Sequence, residues 1–201
     1  MDTQAHWDKA YTEKAENQVS WFQTVPARSL AMIAAAYPHG SVIDVGGGAS
    51  RLVDALLDAG HADVTVLDIS GAALAKDRAR LGEKAERADW ICADIIQWRP
   101  ARQWDIWHDR ALFHFLTEPE AQDAYVAALK VATHPGSAVI LSTFAPDGPE
   151  RCSGLPVQRY SPAELAARLG GEFVLTGEAA ERHHTPFGTT QEFAYALFRR
   201  R

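Results

Sequence analysis

An acid at the end of an apolar run, followed at once by three glycines, is the first feature here that could do chemistry: Val42-Ile43-Asp44-Val45, then Gly46-Gly47-Gly48. Two more acids close later apolar runs, Asp68 in "LDIS" and Asp94 in "ADII". Glycine lets a ligand approach the backbone closely. A phosphate-cradling P-loop would need a Gly-Lys pair downstream, and none follows Gly46. A dinucleotide fingerprint would need a third glycine where Arg51 stands, and a long side chain there would intrude between helix and strand. What remains is Asp44-x-Gly46-x-Gly48. A carboxylate before the glycines suits a ligand with a cationic amine rather than a pyrophosphate. Asp68 can accept from both hydroxyls of a ribose, and Asp94 can take the exocyclic amine of adenine. S-adenosylmethionine carries all three groups and no phosphate. Each motif also has a plainer use: a strand-to-helix turn, a cap for a helix starting near Gly71, and a turn acid.

These residues need strands to carry them. "SVIDV", "ADVTVLDIS", "ADWICADI", "QWDIWHD" and "SAVILSTFA" read as five strands, with Cys92 a small core filler in the third. Helical spacing joins them in "ASRLVDALLDAG", "GAALAKDRARLGEKA" and "EPEAQDAYVAALKVA", after a short helix over 27–36. Ser161 and Pro162 start a further helix. "EFVLTGEAA" and "QEFAYALFR" end the chain as two strands joined by "ERHHTPFGTT". The alternation predicts an α/β fold, a Rossmann-like, doubly wound, mainly parallel seven-stranded sheet with an antiparallel C-terminal hairpin edge. Ligands then bind beyond the carboxyl ends of the strands. The division expected is one domain over 1–201, with 1–26 as an aromatic N-terminal lid segment and 27–201 as the core.

Over nearly its whole length the sequence resembles the class I, seven-strand S-adenosylmethionine-dependent methyltransferases, on "DVGGG", "LDIS" and "ADII". Ser50 stands where many members carry another glycine. The resemblance implies S-adenosylmethionine as cofactor, S-adenosylhomocysteine as product, and cofactor contacts from Asp44, Gly46, Gly48, Asp68, Ile69, Asp94 and Ile95. "HWDKAY" and "SWF" are similar to a subgroup that includes protein-lysine methyltransferases; there the positions of Trp7, Tyr11 and Trp21 cover the cofactor and that of Arg110 lies beside it. The same aromatics can simply pack an amphipathic helix on the domain. His114 replaces that subgroup's acid, which favours a small-molecule acceptor over a lysine side chain.

The acceptor should lie past the fourth strand, in "DIWHDRALFHFL". His114 is the expected base or substrate contact there, the plainer alternative being a core-edge histidine bonded to backbone. His108 is expected on the opposite face. Asp109 can orient the cofactor amine or pair with Arg110. Cys152 and Tyr160 lie in the loop expected to roof the pocket, and "RHHTPFG" can approach it from the far side. His183 and His184 would point to opposite faces of a strand, so no metal is expected. A net charge of −6 argues against a broad nucleic-acid footprint. No run of 18 apolar residues occurs, no basic-then-apolar leader opens the chain, and the two cysteines show no paired spacing. A cytoplasmic protein acting on a small-molecule or protein substrate, with neither nucleic acid nor membrane as partner, is the expectation. A non-catalytic cofactor-binding regulator is the reading from outside enzymology.

Overall fold

Apolar strands that alternate with one-sided helices must be covered on both faces, and that is the architecture found. The computed structural model describes residues 3–201, so Met1 and Asp2 of the expected lid lie outside the described residues. Five strands, β1 (Val42–Val45), β2 (Val64–Asp68), β3 (Ala88–Cys92), β4 (Trp104–Arg110) and β5 (Thr133–Phe144), are followed by a two-residue hairpin, β6 (Arg151–Cys152) and β7 (Leu155–Pro156). The last strands are β8 (Phe173–His184) and β9 (Thr190–Arg200). The helices are α1 (Thr3–Glu13), α2 (Ala27–Ala36), α3 (Leu52–Asp58), α4 (Gly71–Leu81), α5 (Pro119–Ala132) and α6 (Pro162–Leu169). The main sheet has seven strands in the order β3-β2-β1-β4-β5-β9-β8. It is parallel from β3 to β5 and antiparallel across β5–β9–β8, as expected.

The chain winds outward from β1 through β2 and β3, then returns to β1's other side with β4. This reversal opens a crevice at the carboxyl ends of β1 and β4. Alternation along the strands divides the interior into two layers. Val42, Ile106 and Ile140 pack with Ile33 of α2, Leu52 and Leu56 of α3 and Leu74 of α4. Ile43, Trp107 and Val139 pack with Tyr125 and Leu129 of α5 and Leu165 of α6. Among the described residues no helix is long and apolar enough to cross a membrane.

Three local expectations change. Cys92 is exposed, because it ends the edge strand β3 and has no neighbouring strand outside it. The stretch "ERHHTPFGTT" is half strand: pairing runs on to His184 opposite Thr190, with Arg182 bonded to Glu192 across the ladder. Only a tight turn remains, in which the Thr185 hydroxyl accepts from the backbone N–H groups of Phe187 and Thr189. Within the expected Gly/Pro-rich loop, Ser153 (φ +50°) and Gly154 (φ +79°) form the two-residue turn of the β6–β7 hairpin. Two positive φ values match the twist of such hairpins.

Tyr125 joins the α5 layer to β4. Its hydroxyl donates to Asp109 Oδ2 at 2.7 Å and accepts from Trp107 Nε1 at 2.8 Å. Tyr125→Phe leaves a buried indole N–H and a buried carboxyl short of a partner, so urea unfolding should show a loss of about 1–3 kcal/mol with an unchanged m value. An unchanged midpoint would mean that both groups find other partners.

Candidate active site

The turn after β1 is closed by contacts that only glycine tolerates. Gly46 and Gly48 have φ of +70° and +51°. A Cβ on Gly46 would lie 2.6 Å from Leu112 Cδ1, and one on Gly48 would lie 2.3 Å from the Tyr11 hydroxyl oxygen. At Gly47 it would meet Val66 Cγ1 at 2.6 Å and Asp44 Oδ2 at 2.9 Å. The turn forms the floor of a cleft lined on one side by Asp44, Asp68, Ile69, Asp94 and Ile95. Asp68 accepts from the backbone N–H of Gly48 (2.8 Å) and of Ser70 (2.7 Å), which ties the ends of β1 and β2 together. Burial raises its pKa to about 6; the two N–H groups work against that rise, and the charges of Asp44 and Asp8 add to it. Each oxygen keeps a lone pair for a further donor. Asp94 turns the chain after β3, with Oδ1 accepting from Ile96 N–H at 3.2 Å.

The facing wall of the cleft is aromatic. Trp7 and Tyr11 of α1, Trp21 and Phe22 of the following segment, and Phe115 all line it. Trp7 stands edge-on to Trp21 (5.8 Å between ring centres) and to Phe115 (5.0 Å). α1 is tied down through Asp8 Oδ1, which accepts from Ser70 Oγ at 2.7 Å and from Ala72 N–H at 3.2 Å. Arg110 lines the cleft too. Its Nη1 donates to the Trp21 carbonyl at 3.2 Å and its Nε to the Tyr195 hydroxyl at 3.1 Å. Its guanidinium lies 4.4 Å over the Phe193 ring. The β6–β7 hairpin delivers Cys152 to the same wall. Burial pushes that thiol up to about 11, so it is protonated and not a nucleophile near neutrality.

A methyltransferase-domain family model matches residues 42–136, from the first residue of β1 to the start of β5. The matched stretch takes in β1 to β4, and with them the glycine turn and the three acids. It is similar to a malonyl-[acyl-carrier protein] O-methyltransferase from Anoxybacillus flavithermus, 28% identical over 109 residues, which are 54% of this chain and 40% of the relative. The chain thus matches less than half the length of that curated relative. Among solved structures it superposes on a protein studied in the conversion of a disulfide bond into a thioacetal group during echinomycin biosynthesis. That match has 21% identity, covers 98% of this chain and 93% of the other, and has a TM-score of 0.77. A 1,6-didemethyltoxoflavin-N1-methyltransferase of Burkholderia thailandensis, with bound 1,6-didemethyltoxoflavin and S-adenosylhomocysteine, matches at 20% identity. It covers 98% and 84% of the two chains, with a TM-score of 0.69.

Three expected pocket residues lie elsewhere in the fold. Asp109 is fully buried on the α5 side of β4 and pairs with neither Arg110 nor the cleft. It accepts from the N–H groups of Leu112 (2.8 Å) and Phe113 (3.1 Å) and from Tyr125. Burial raises its pKa to about 7 against those donors. Tyr160 packs beside Phe113 in the same layer, accepting from Gln122 Nε2 at 2.9 Å, so it is core rather than roof. His114 is fully buried between Phe115 and Phe144 and does not line the cleft. Its Nδ1 accepts from Phe144 N–H at 3.3 Å, and burial with Arg110 nearby lowers its pKa to about 3. It is a neutral structural ring and not the base. "RHHTPFG" also misses the cleft; His183 Nε2 instead donates to the Ser20 carbonyl at 2.7 Å.

The cleft holds a histidine that sequence reasoning placed on the wrong face. His108 sits directly opposite Asp44 in the β1–β4 register and lines the cleft with it. The missed signal was alternation: once Ile106 is assigned to the α2–α3 layer, His108 and Arg110 must share its face and Asp109 must oppose it. Ser29 and Phe115 also line the cleft, and neither has a local motif that marks it.

His114 has a pH signature of the opposite kind from a base. Its unfolded value lies near 6.5 and its folded value near 3, so its contribution is complete above pH 6.5 and is lost as pH falls towards 3. Asp109, raised by burial, acts in the opposite sense, so comparing variant with wild type isolates the histidine. His114→Leu should cost about 1–3 kcal/mol at pH 7, by orphaning the Phe144 N–H, and should lessen the loss of stability between pH 6.5 and 4. Urea titrations at both pH values read this out. An unaltered acid-side slope would show that the imidazole is charged in the fold.

Proposed function

We propose that this chain transfers a methyl group from S-adenosylmethionine to a small-molecule acceptor. One observation carries the reading: three carboxylates stand at the ends of successive strands around a glycine turn too tight for any Cβ, with an aromatic wall facing them. S-adenosylmethionine supplies, when bound, a methyl group on a sulfonium whose departure as a neutral thioether needs no further activation. Asp44 would accept from the cofactor's ammonium, the two oxygens of Asp68 from its ribose hydroxyls, and Asp94 from its adenine amine, with Ile69 and Ile95 flanking the base. Gly46 and Gly47 line the cleft and offer bare backbone to the ligand, while Gly48, expected to do so, is covered by the Tyr11 hydroxyl and bonded to Asp68; Arg110 holds the Trp21 segment. The chain's share of the work is alignment and exclusion of water. Trp7, Tyr11 and Trp21 serve as a lid within residues 1–26, folded over the core of 27–201.

A small acceptor suits the aromatic part of the cleft that Phe115 and Cys152 line. The relatives lend support: one is named for a malonyl group on a carrier protein and another for a toxoflavin precursor. No titrating base is needed for an acceptor that reacts as a neutral amine or a thiolate. Ultrafiltered cell extract should convert the cofactor to S-adenosylhomocysteine with the enzyme present, and the product's mass identifies the acceptor. Turnover only with the retained protein fraction would favour a protein-lysine substrate, and binding without turnover a regulator.

Two binding measurements test the cofactor assignment. Asp68→Ala should weaken S-adenosylhomocysteine by roughly ten- to a hundred-fold, through loss of charge-assisted hydrogen bonds. The ribose needs the ionised carboxylate, so wild-type affinity should fall as pH drops below about 6, and Asp68→Asn should lose that dependence. A flat wild-type profile in calorimetry would remove Asp68 from the ribose. For the lid, hydrogen exchange over residues 3–22 should slow when S-adenosylhomocysteine is added; equal protection with and without it would leave only a packed helix.

A further inference from the structure

Asp44 does not face the cleft as a free carboxylate. His108 Nδ1 lies 2.7 Å from its Oδ1, and His108 Nε2 lies 2.9 Å from Ser29 Oγ. All three residues are at most 3% exposed. A carboxylate only accepts, so Nδ1 carries the proton and donates; in the neutral ring Nε2 then takes the Ser29 O–H. The parallel register sets His108 directly opposite Asp44, and Ser29 comes from the first turn of α2. With Oδ1 engaged on the β4 side, Oδ2 is the oxygen that lies against the glycine turn, 2.9 Å from where a Gly47 Cβ would be. The terminal torsion of an aspartate is broad by itself. Here it is held.

We infer that His108, itself held by Ser29, is a positioning residue that fixes the Asp44 carboxylate for the cofactor's ammonium. The same connectivity serves nucleophilic serines, but there the serine meets the substrate and the acid lies farthest from it. In this chain it is the acid that stands at the glycine turn, with Ser29, also in the cleft wall, on the far side of His108 from it, so the relay runs the other way. His108 and Ser29 act on one part of the ligand only. The nucleoside end rests on Asp68 and Asp94, which neither of them touches. The inference rests on the methyltransferase reading and adds two residues to it.

The test is calorimetric titration of the full chain with two probes, S-adenosylhomocysteine and 5′-methylthioadenosine, which shares the nucleoside and thioether but has no amino acid. Wild type should bind both. His108→Leu should weaken S-adenosylhomocysteine roughly ten- to a hundred-fold and leave 5′-methylthioadenosine within about twofold. His108→Asn, whose amide can donate to Asp44, should recover most of the loss, and Ser29→Ala should show the same selective loss in smaller measure. Should His108→Leu fail to fold, Ser29→Ala carries the same two-probe comparison. Equal weakening of both probes, or of neither, would overturn the positioning role. Wild type binding neither probe would instead overturn the cofactor reading beneath it.

Discussion

The turn at Gly46–Gly48 is the constraint on which the rest of the molecule depends. It is pressed from three sides: by Leu112 after β4, by Val66 of β2 and by Tyr11 of α1. Each contact is closer than any Cβ would allow, so the turn fixes at once where β4's following loop, β2 and the N-terminal helix must sit. Ala111, just after β4, is held at φ +73° with its N–H bonded to the Ser142 carbonyl. That is an uncommon conformation for a residue with a side chain. It turns the chain so that Leu112 covers Gly46 while Phe115 reaches the aromatic wall of the cleft.

From that turn the division of labour along β4 follows by alternation alone. Ile106, His108 and Arg110 face the α2–α3 layer and, at the open end, the cleft. Trp107 and Asp109 face α5. The strand therefore carries two polar systems that do not mix. One binds Asp109 to backbone and Tyr125 and makes the strand's carboxyl end rigid. The other links Asp44, His108 and Ser29, with Arg110 reaching from the same face to the Trp21 segment and Tyr195. A buried carboxyl is costly unless its partners are complete, and both Asp109 and Asp68 meet this with backbone donors supplied by the loops they organise.

The aromatic end shows how a short leader becomes part of a site. α1 has few buried residues of its own, Tyr11 being the one fully enclosed. Its position comes from Asp8 bonding at the start of α4 and from rings meeting edge-on around Trp7. Such a segment gains little by folding alone, so its order is tied to the core it covers.

What the sequence determined by itself is the order of elements and the acids at their ends. Apolar runs closed by Asp44, Asp68 and Asp94, and glycines that cannot bear side chains, are local signals, readable because each strand must be buried and each sharp turn needs its own residue type. The seven-strand sheet with its antiparallel edge was legible for the same reason. Which face each residue took was not. On a strand a shift of one residue reverses every side chain, and the phase of β4 is set by its pairing with β1 and β5, far away in sequence. That pairing put His108 in the cleft and Asp109 in the core. His114 and Tyr160 were withdrawn into the interior by aromatic packing against Phe144 and Phe113, whereas Cys152, expected at the pocket, does line the cleft, on a hairpin where a loop was expected. These placements are decided by which distant surfaces meet, and only the tertiary structure sets that.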